Sequence, residues 1–520
     1  MDFDPLTTTA TTLQKLLQNG AVTSVQIIDR YLMQIERHNP TLNAFISLAP
    51  RDKLLRQAAA LDEERQANRC RGPLHGIPIV LKASCQHDCF VTSHELGMPT
   101  TAGSFAFLGA KAAKNSGIAQ KLMDAGLIVL GKTNMTEFCG MKMMTSPGRS
   151  AVAGQTLSPY VGAIEDGESI LGHSSPGGSS TGSAVAVAAG FTPLAIGTET
   201  IGSIMTPSSR AAVYAIKPTT GRQDTSGMYR MTDFFDSYGP MAKSPADLVS
   251  LLEIILGRSF QTSSSRSDKW DGLTVGFVDP NVWKLSPEMC KQRDGTLEQM
   301  VRDYEAMISK IQKDGCTAKY PVELPDCSVL TVDGQDAIMP IACSIGSDAD
   351  LADWEFKHIG LPEFIEAFEE CPVRSLEDLI QLIRNMPSRH CHHVSFHPCW
   401  TNRVTLITVV FIFVAHTDQA DLIKAQERNE PEKEIKLLGE KLRARARQIL
   451  DQIYEKENIN LIAAPSGYPL GHVPLGQLHY KGRPFGLCLM ARADGEETLL
   501  RFMSAYESAV PPRLVPDLSG

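Results

Sequence analysis

The spacing of hydrophobic and polar positions changes along the chain. Between residues 9 and 67, apolar residues recur every three or four positions, as at Val25, Ile28 and Leu32, which is typical of amphipathic helices. Pro40 punctuates this helical stretch, because proline interrupts the hydrogen bonding of a helix. We therefore predict that the first part of the chain is helical.

Short apolar runs replace the helical spacing from residue 76 onward. We predict strands at 77–81, 127–130, 194–196, 273–278 and 316–322, with a helix at 296–312. Strands that alternate with helices are typical of an α/β sheet covered by helices. No tandem repeat or low-complexity linker separates two cores, so one large domain is favoured over several small ones.

These patterns give a domain division. We predict an N-terminal helical segment at residues 1–72 that packs on the core, a single large domain at 73–511 and a C-terminal tail at 512–520. Residues 404–415 form a strongly apolar run, but it is shorter than the ~20 residues that span a bilayer. We predict a buried strand there and no membrane partner.

Composition and charge exclude further classes of function. The 520 residues are 43% hydrophobic and 21% charged, with a net charge of −9, as expected of a globular protein with a large core. No block of five or more lysines or arginines occurs, so we expect no nucleic-acid partner. The N-terminus resembles no secretory signal. We therefore expect a cytoplasmic protein whose twelve cysteines are reduced thiols.

A stretch rich in glycine and serine contains the candidate chemistry. Residues 176–190 indicate a loop followed by a helix of small residues that ends at Gly190. A helix of about ten residues rises roughly 15 Å, and a strand of about five residues returns roughly 17 Å. The loop with Ser203 should therefore lie near the loop with Ser179. From the residues alone, capping and catalysis both remain open for these serines.

These loops resemble the signature of the amidase signature family, which pairs Gly-Gly-Ser-Ser-x-Gly-Ser with Gly-Thr-[Asp/Glu]-x-x-Gly-Ser-Ile. The corresponding residues here are 177–183 and 197–204. Further blocks in family order are 71–78 followed by Lys82, 101–104, 130–134, 216–219, 239–242 and 482–486. The similarity spans nearly the whole chain and is greatest to free-standing amidases of fungal type. It implies a large mixed twisted β-sheet core covered by helices on both faces.

The resemblance also implies the roles of individual residues. Ser203 would attack the amide carbonyl, Ser179 would relay the proton, and Lys82, expected to be neutral, would be the base. Family members hold the relay serine through a cis peptide bond, here from Gly178. The implied oxyanion hole consists of four backbone N–H groups, those of Thr200, Ile201, Gly202 and Ser203.

The implied reaction is hydrolysis of a small-molecule carboxylic amide to a carboxylate and an amine or ammonia, through a covalent acyl-serine. The expected partner is this amide substrate, and a homodimer is left open. Two other functions are left open. One is the amidase component of a tRNA-dependent amidotransferase, which would need partner subunits. The other is a catalytically impaired family member. The sequence does not identify the substrate.

Two further patterns partly resemble the motifs of nucleotide and metal sites. Residues 126–133 match the Gly-x4-Gly-Lys-Thr phosphate-loop pattern, but 127–130 are themselves a predicted strand rather than a loop that follows one. Cysteine and histidine residues cluster at 85–89 and 390–399, but neither spacing matches a standard zinc site. We therefore predict no nucleotide site, no metal and no cofactor.

Three segments depart from the family pattern. A longer segment, about 83–93, follows Lys82 directly, and a second foreign stretch covers about 391–419. A loop that usually lies beside the substrate pocket is shortened near 465–469. The abrupt change in composition suggests the hypothesis that the first two segments are translated introns or other gene-model errors. Finding both in the mature spliced transcript would contradict it.

Overall fold

A computed structural model gives the fold of most of the chain. It describes residues 3–83, 98–142, 146–261, 269–282, 289–324, 331–332, 335–336, 351–385, 419–464 and 471–519. The two suspected insertions lie almost wholly outside the described residues. The predicted strand at 404–415, both cysteine and histidine clusters, and the shortened loop near 465–469 also lie outside them.

Helices occupy many of the intervals between strands. They are α1 (Ala10–Gln18), α2 (Ser24–Leu42), α3 (Arg51–Gln66), α4 (Gly117–Asp124), α5 (Thr181–Ala188), α6 (Met205–Ala211), α7 (Pro245–Leu256), α8 (Thr296–Lys313), α9 (Leu351–Glu355), α10 (Leu361–Glu366), α11 (Leu376–Asn385), α12 (Ala420–Gln426), α13 (Glu432–Lys456) and α14 (Glu496–Ala509). A π-helical turn, Phe356–Gly360, joins α9 to α10. Local sequence sets some of the boundaries: Thr23 and Gln26 form a reciprocal capping box that begins α2.

The strands of the described residues form one large sheet and three small ones. They are β1 (Phe45–Leu48), β2 (Pro78–Lys82), β3 (Lys111–Ala112), β4 (Ile128–Thr133), β5 (Arg149–Ser150), β6 (Gly154–Gln155), β7 (Leu194–Glu199), β8 (Tyr214–Ile216), β9 (Ser237–Ala242), β10 (Thr274–Val278), β11 (Thr317–Val322), β12 (Thr331–Val332), β13 (Gln335–Asp336), β14 (Phe368–Glu370), β15 (Leu461–Ala464), β16 (Gly471–Gln477) and β17 (Pro484–Met490). The large sheet has eleven strands in the order β1-β4-β2-β7-β9-β8-β16-β17-β15-β10-β11.

Strand direction within the large sheet is mixed. Strands β4, β2 and β7 are mutually parallel, as are β15, β10 and β11. The remaining neighbours pair antiparallel. Because β2, β4 and β7 run in the same direction, their carboxyl ends meet at one edge of the sheet, which is where open α/β sheets bind ligands.

The predicted fold class is confirmed, and most predicted elements have their expected type. All five predicted strands and the helix at 296–312 are present, with ends that differ by a few residues. The pattern in residues 126–133 does lie on a strand, because 128–133 form β4. Lys132 is buried there, and its Nζ donates to Thr100 Oγ1 at 2.8 Å.

Two details of the N-terminal prediction were wrong. The region 9–67 is not wholly helical, because β1 lies between α2 and α3 and pairs with the sheet edge at β4. Four residues are too few to show strand periodicity, and pairing with β4 decides their conformation. Pro40 does not end its helix, since α2 continues to Leu42 and ends before Asn43, which has a left-handed backbone with φ of 52°. The domain boundaries remain a prediction.

Helix α5 packs unusually close to its neighbours. All eight of its residues are buried, and none has a side chain larger than valine. A Cβ added to Gly182 would come within 2.6 Å of both the backbone N and the backbone O of Asn134. This close approach presses the loop before α5, which contains Ser179, against the carboxyl ends of β2 and β4.

None of the described helices combines the length and the apolar composition that crossing a membrane requires.

Candidate active site

Lys82, the last residue of β2, is fully buried and faces the first serine loop. Its Nζ donates to Ser179 Oγ at 2.7 Å. The same nitrogen donates to Thr198 Oγ1 at 2.8 Å and to the Thr198 carbonyl oxygen at 3.3 Å. Burying an amine without hydrogen-bond partners is unfavourable. Here Ser179 and Thr198 supply those partners, and Thr198 lies on the neighbouring strand β7. The structure therefore brings Lys82 and Ser179 into direct contact.

Ser179 precedes α5 and is itself buried. The Gly178–Ser179 peptide bond is cis, as the family resemblance implies. The Ser179 carbonyl oxygen accepts a hydrogen bond from Thr136 N at 3.1 Å. This bond attaches the serine loop to the segment that follows β4.

The two serine loops are joined to each other, as predicted from the lengths of the intervening helix and strand. Ser180 N donates to the Ser203 carbonyl oxygen at 3.0 Å. From the other side, Thr206 Oγ1 donates to the Gly178 carbonyl oxygen at 2.7 Å. These crossed contacts fix the backbone on which Ser179 and Ser203 stand.

Ser179 and Ser203 line the same pocket. Thr198, Glu199, Thr200 and Ser237 line it as well, and the remaining lining residues are Cys139, Met228, Tyr229 and Asp236. The exposed fraction of Ser203 is 8%, whereas that of Ser179 is 3% and that of Lys82 is 0%. Of the three, Ser203 is thus the nearest to solvent, and the lysine lies behind Ser179.

The loop from Thr200 to Ser203 connects β7 to α6 and is fixed at both ends. At its end, Glu199 Oε2 accepts hydrogen bonds from Ile204 N at 2.6 Å and from Met205 N at 3.0 Å. At its beginning, the Thr200 carbonyl oxygen accepts a hydrogen bond of 2.6 Å from Lys217 Nζ. Lys217 Nζ also lies 4.0 Å from Glu199 Oε1. A buried ion pair thus connects the two ends of the loop.

The predicted oxyanion donors lie in this loop. Gly202 has φ of +76°, which favours glycine because other residues are strained there. No acceptor for the N–H groups of Ile201, Gly202 or Ser203 is found among the described residues. These three amides therefore remain available to a ligand oxygen in that part of the chain.

Burial shifts the pKa values of ionisable groups around the pocket. It raises the pKa of Asp236, although the Asp236 carboxylate accepts from Met231 N at 2.6 Å. It also raises the pKa of Glu137, despite a hydrogen bond of 3.1 Å from Lys142 Nζ. Conversely, burial lowers the pKa of Lys217. Charged groups at the site are therefore poorly solvated and depend on specific hydrogen-bond and ion-pair partners.

Sequence reasoning missed two residues that the structure places at the site. Thr198 contacts the lysine, and Lys217 holds the loop that precedes the second serine. Both stand inside sequence blocks that resemble the family, 197–204 and 216–219. The family resemblance could have pointed to both positions. It could not have identified their hydrogen-bond partners, because a sequence alone does not show which residues are in contact.

Candidate metal ligands are dispersed across the described ranges, where no three His, Cys, Asp or Glu side chains converge closely enough to hold an ion.

A mixed sheet with a pocket that contains Ser179 and Ser203 at the carboxyl ends of its parallel strands defines an α/β enzyme. Residues 26–312 match the sequence profile of the family described as Amidase. The chain belongs to this amidase family, and it is a hydrolase that acts on amides.

Individual relatives agree with this assignment. A protein of Arabidopsis thaliana named "Probable amidase" is 29% identical over 507 residues, which cover 95% of this chain and 89% of the relative. The crystal structure of native peptide amidase from Stenotrophomonas maltophilia superimposes with a TM-score of 0.74 at 28% identity, covering 99% of each chain. A glutamyl-tRNA(Gln) amidotransferase component from Chloroflexus aurantiacus is 37% identical over 257 residues, which cover 49% of this chain and 48% of that component.

Proposed function

We propose that the protein hydrolyses carboxylic amides through a covalent acyl-serine, with Ser203 as nucleophile, Ser179 as proton relay and Lys82 as base. The observation that carries the proposal is the 2.7 Å contact between Lys82 Nζ and Ser179 Oγ. Ser203 opens into the same pocket. Lys82 is fully buried and contacts the relay hydroxyl, and a lysine amine in that position can accept the relayed proton.

Acylation then proceeds with a balanced transfer of protons. Ser203 Oγ forms a bond to the amide carbonyl carbon while its proton passes to Ser179 Oγ and the Ser179 proton passes to Lys82 Nζ. The carbonyl oxygen becomes negative and accepts hydrogen bonds from the amides of Thr200, Ile201, Gly202 and Ser203, a contribution typically of a few kcal/mol per donor. The proton returns through Ser179 to the nitrogen, the C–N bond breaks, and the amine leaves.

Deacylation uses the same groups in the opposite sense. Water attacks the acyl-serine while the relay accepts its proton, and the intermediate collapses to the free Ser203 hydroxyl and the carboxylic acid, which ionises. Both half-reactions need the lysine to be unprotonated when it receives the proton.

A fluorophosphonate probe tests the assignment of the three residues. The wild-type chain should label on Ser203, and Ser203→Ala should not label. Lys82→Ala should lose most of the labelling and of the amide hydrolysis, because no base remains to accept the relayed proton. Lys132→Met, which removes another buried lysine at the end of a parallel strand, is the matched control for the loss of a buried amine.

The result that contradicts the proposal is a well-folded wild-type chain that resists the probe. Equal labelling of the wild type and Lys82→Ala would contradict the role of the lysine alone. A hydrolysis screen should include aliphatic, aromatic, fatty and peptide amides, since a peptide amidase is among the similar structures. The screen should compare the full chain with one that lacks 83–93 and 391–419, which tests whether these segments impair the pocket.

The similarity to an amidotransferase component supports a second candidate function. A free-standing amidase should release ammonia or amine when purified alone. An amidotransferase component would instead be isolated with stoichiometric partners, and light scattering of the purified protein distinguishes the two. We favour the free-standing amidase because its relatives cover nearly the whole chain, whereas the amidotransferase component matches about half.

A further inference from the structure

The peptide bond between Thr200 and Ile201 lies within the loop of proposed oxyanion donors. A trans peptide is planar, so its C=O and its N–H point in opposite directions. Whatever holds the Thr200 carbonyl oxygen therefore also sets the direction of the Ile201 N–H. In the structure this oxygen accepts a 2.6 Å hydrogen bond from Lys217 Nζ.

Lys217 is well placed to hold this peptide. It directly follows β8, and its side chain is only 6% exposed. Glu199 Oε1 lies 4.0 Å from Lys217 Nζ, while Glu199 Oε2 accepts from Ile204 N and Met205 N. A single buried ion pair therefore fixes a carbonyl at the beginning of the donor loop and the amides that follow the loop.

We propose that Lys217 is a positioning residue for amide hydrolysis, which aims the Ile201 N–H at the oxygen that becomes negative in the tetrahedral intermediate. The inference rests on the proposed function. Lys217 is not among the described residues that line the pocket, so it acts on the reaction through the Thr200–Ile201 peptide. A charge-assisted hydrogen bond is stronger than a neutral one, and it polarises the peptide and strengthens its N–H as a donor.

The charge of Lys217 is subject to two opposing effects. Burial lowers the pKa of Lys217, and the carboxylates of Glu199 and Asp236 oppose that effect. The positive charge at the Thr200 carbonyl therefore depends on two buried carboxyl groups. Catalysis by differential binding requires that such a device stabilise the transition state more than the bound substrate.

The test compares two lysines of the same kind. Lys217→Met removes the donor and the charge at similar side-chain volume. Lys243→Met is the matched control, because Lys243 is buried and also donates to a backbone carbonyl, that of Thr8 at 3.2 Å. For both variants we would measure kcat and KM on an amide that the screen identifies, and the inhibition constant of the corresponding aldehyde, which forms a tetrahedral adduct with a nucleophilic serine.

The expected effects are large on kcat and aldehyde affinity, which report on the transition state, and small on KM, which reports on substrate binding. Lys217→Met should lower both kcat and the affinity for the aldehyde inhibitor by about tenfold to a hundredfold. This effect is smaller than that of removing an oxyanion donor itself. Its KM should change by less than about threefold, because the substrate carbonyl is still uncharged when it binds. Lys243→Met should leave kcat and the aldehyde affinity unchanged. Lys217→Gln, which keeps an N–H donor without charge, should fall between Lys217→Met and the wild type.

The inference is wrong if Lys217→Met and Lys243→Met change kcat and aldehyde affinity alike, or if Lys217→Met raises KM and leaves kcat intact. Should Lys217→Met not fold, as judged by urea unfolding, Lys217→Gln is compared with Lys243→Met by the same criteria. A wild-type chain that does not label on Ser203 contradicts the proposed function. If the wild type labels normally and the Lys217 variants keep the kcat and the aldehyde affinity of the wild type, only the role of Lys217 is contradicted.

Discussion

At the scale of single residues, the environment of the proposed base is the most informative feature. Among the described residues, Lys82 has two side-chain partners, Ser179 and Thr198. The serine is the expected relay, while the threonine was not anticipated. Thr198 can orient the amine toward Ser179, because its hydroxyl and carbonyl oxygens both accept from the same nitrogen. The orientation of a base matters for proton transfer as much as its presence does.

This orientation leads to a prediction for Thr198→Val. The valine keeps the shape but removes the hydroxyl that accepts from Lys82, so we expect kcat to fall by about tenfold, which corresponds to roughly 1.4 kcal/mol. Steady-state kinetics on the same amide provide the measurement. Thr192→Val is the control, because Thr192 Oγ1 is buried and donates to the Leu194 carbonyl oxygen at 2.8 Å, away from the lysine. Equal effects of the two substitutions would argue against the orienting role.

At the scale of elements, α5 and the strands β2 and β7 bring the site together. Lys82 and Ser179 are 97 positions apart in the sequence, and no spacing rule relates them. Their contact follows from the parallel pairing of β2 with β7 and from the close packing of α5 on the sheet. The small residues of α5 make this packing possible, since small side chains permit close approach.

The packing of α5 can be tested by Gly182→Ala. The added methyl group would lie 2.6 Å from Asn134 N and O, so we expect the free energy of unfolding to fall by about 1–3 kcal/mol. Alanine favours helix by about 1 kcal/mol over glycine, which offsets only part of this loss. Urea unfolding measures the difference. Gly109→Ala, at an exposed glycine with no atom within 4 Å of the new Cβ, should be nearly neutral, and a similar loss there would contradict the packing argument.

Element types were largely predictable from sequence, whereas several boundaries and partners were not. Apolar runs identified β2, β4 and β7, because buried parallel strands are apolar throughout. The strand β1 was missed because four residues carry no clear period, and the antiparallel pair β16 and β17 was not anticipated at all. The roles of Ser179, Ser203 and Lys82 came from family resemblance, since a turn serine and a catalytic serine look alike in one sequence.

At the scale of the whole molecule, the large sheet contains a histidine whose protonated form is disfavoured by burial. His472 lies in β16 and is completely buried. One of its ring nitrogens, Nδ1, lies 2.8 Å from the Val213 carbonyl oxygen. Burial lowers the pKa of His472 to about 4. The folded protein therefore holds this imidazole neutral at a pH where the unfolded chain would already bind a proton.

The sign of the resulting pH dependence is fixed by linkage. The stabilisation by neutral His472 is fully present above the unfolded pKa near 6.5 and is lost as pH falls through about 4. We expect a loss of about 3 kcal/mol over that window from this residue. Urea unfolding between pH 7 and 4 should show a smaller decline for His472→Gln than for the wild type. His479→Gln, at an exposed histidine, should decline like the wild type, and parallel curves for all three proteins would refute the assignment.

The close packing of α5 also has a consequence for evolutionary drift. A position without room for one additional methyl group accepts almost no substitution, whatever the organism or the substrate. Pocket residues such as Cys139 and Thr200 are only partly buried, so exchanging their side chains should cost less folding stability than a change in α5. In lineages that acquire new substrates, changes should therefore accumulate in the pocket wall, while purifying selection preserves the small residues of α5 and the order of the strands beneath it.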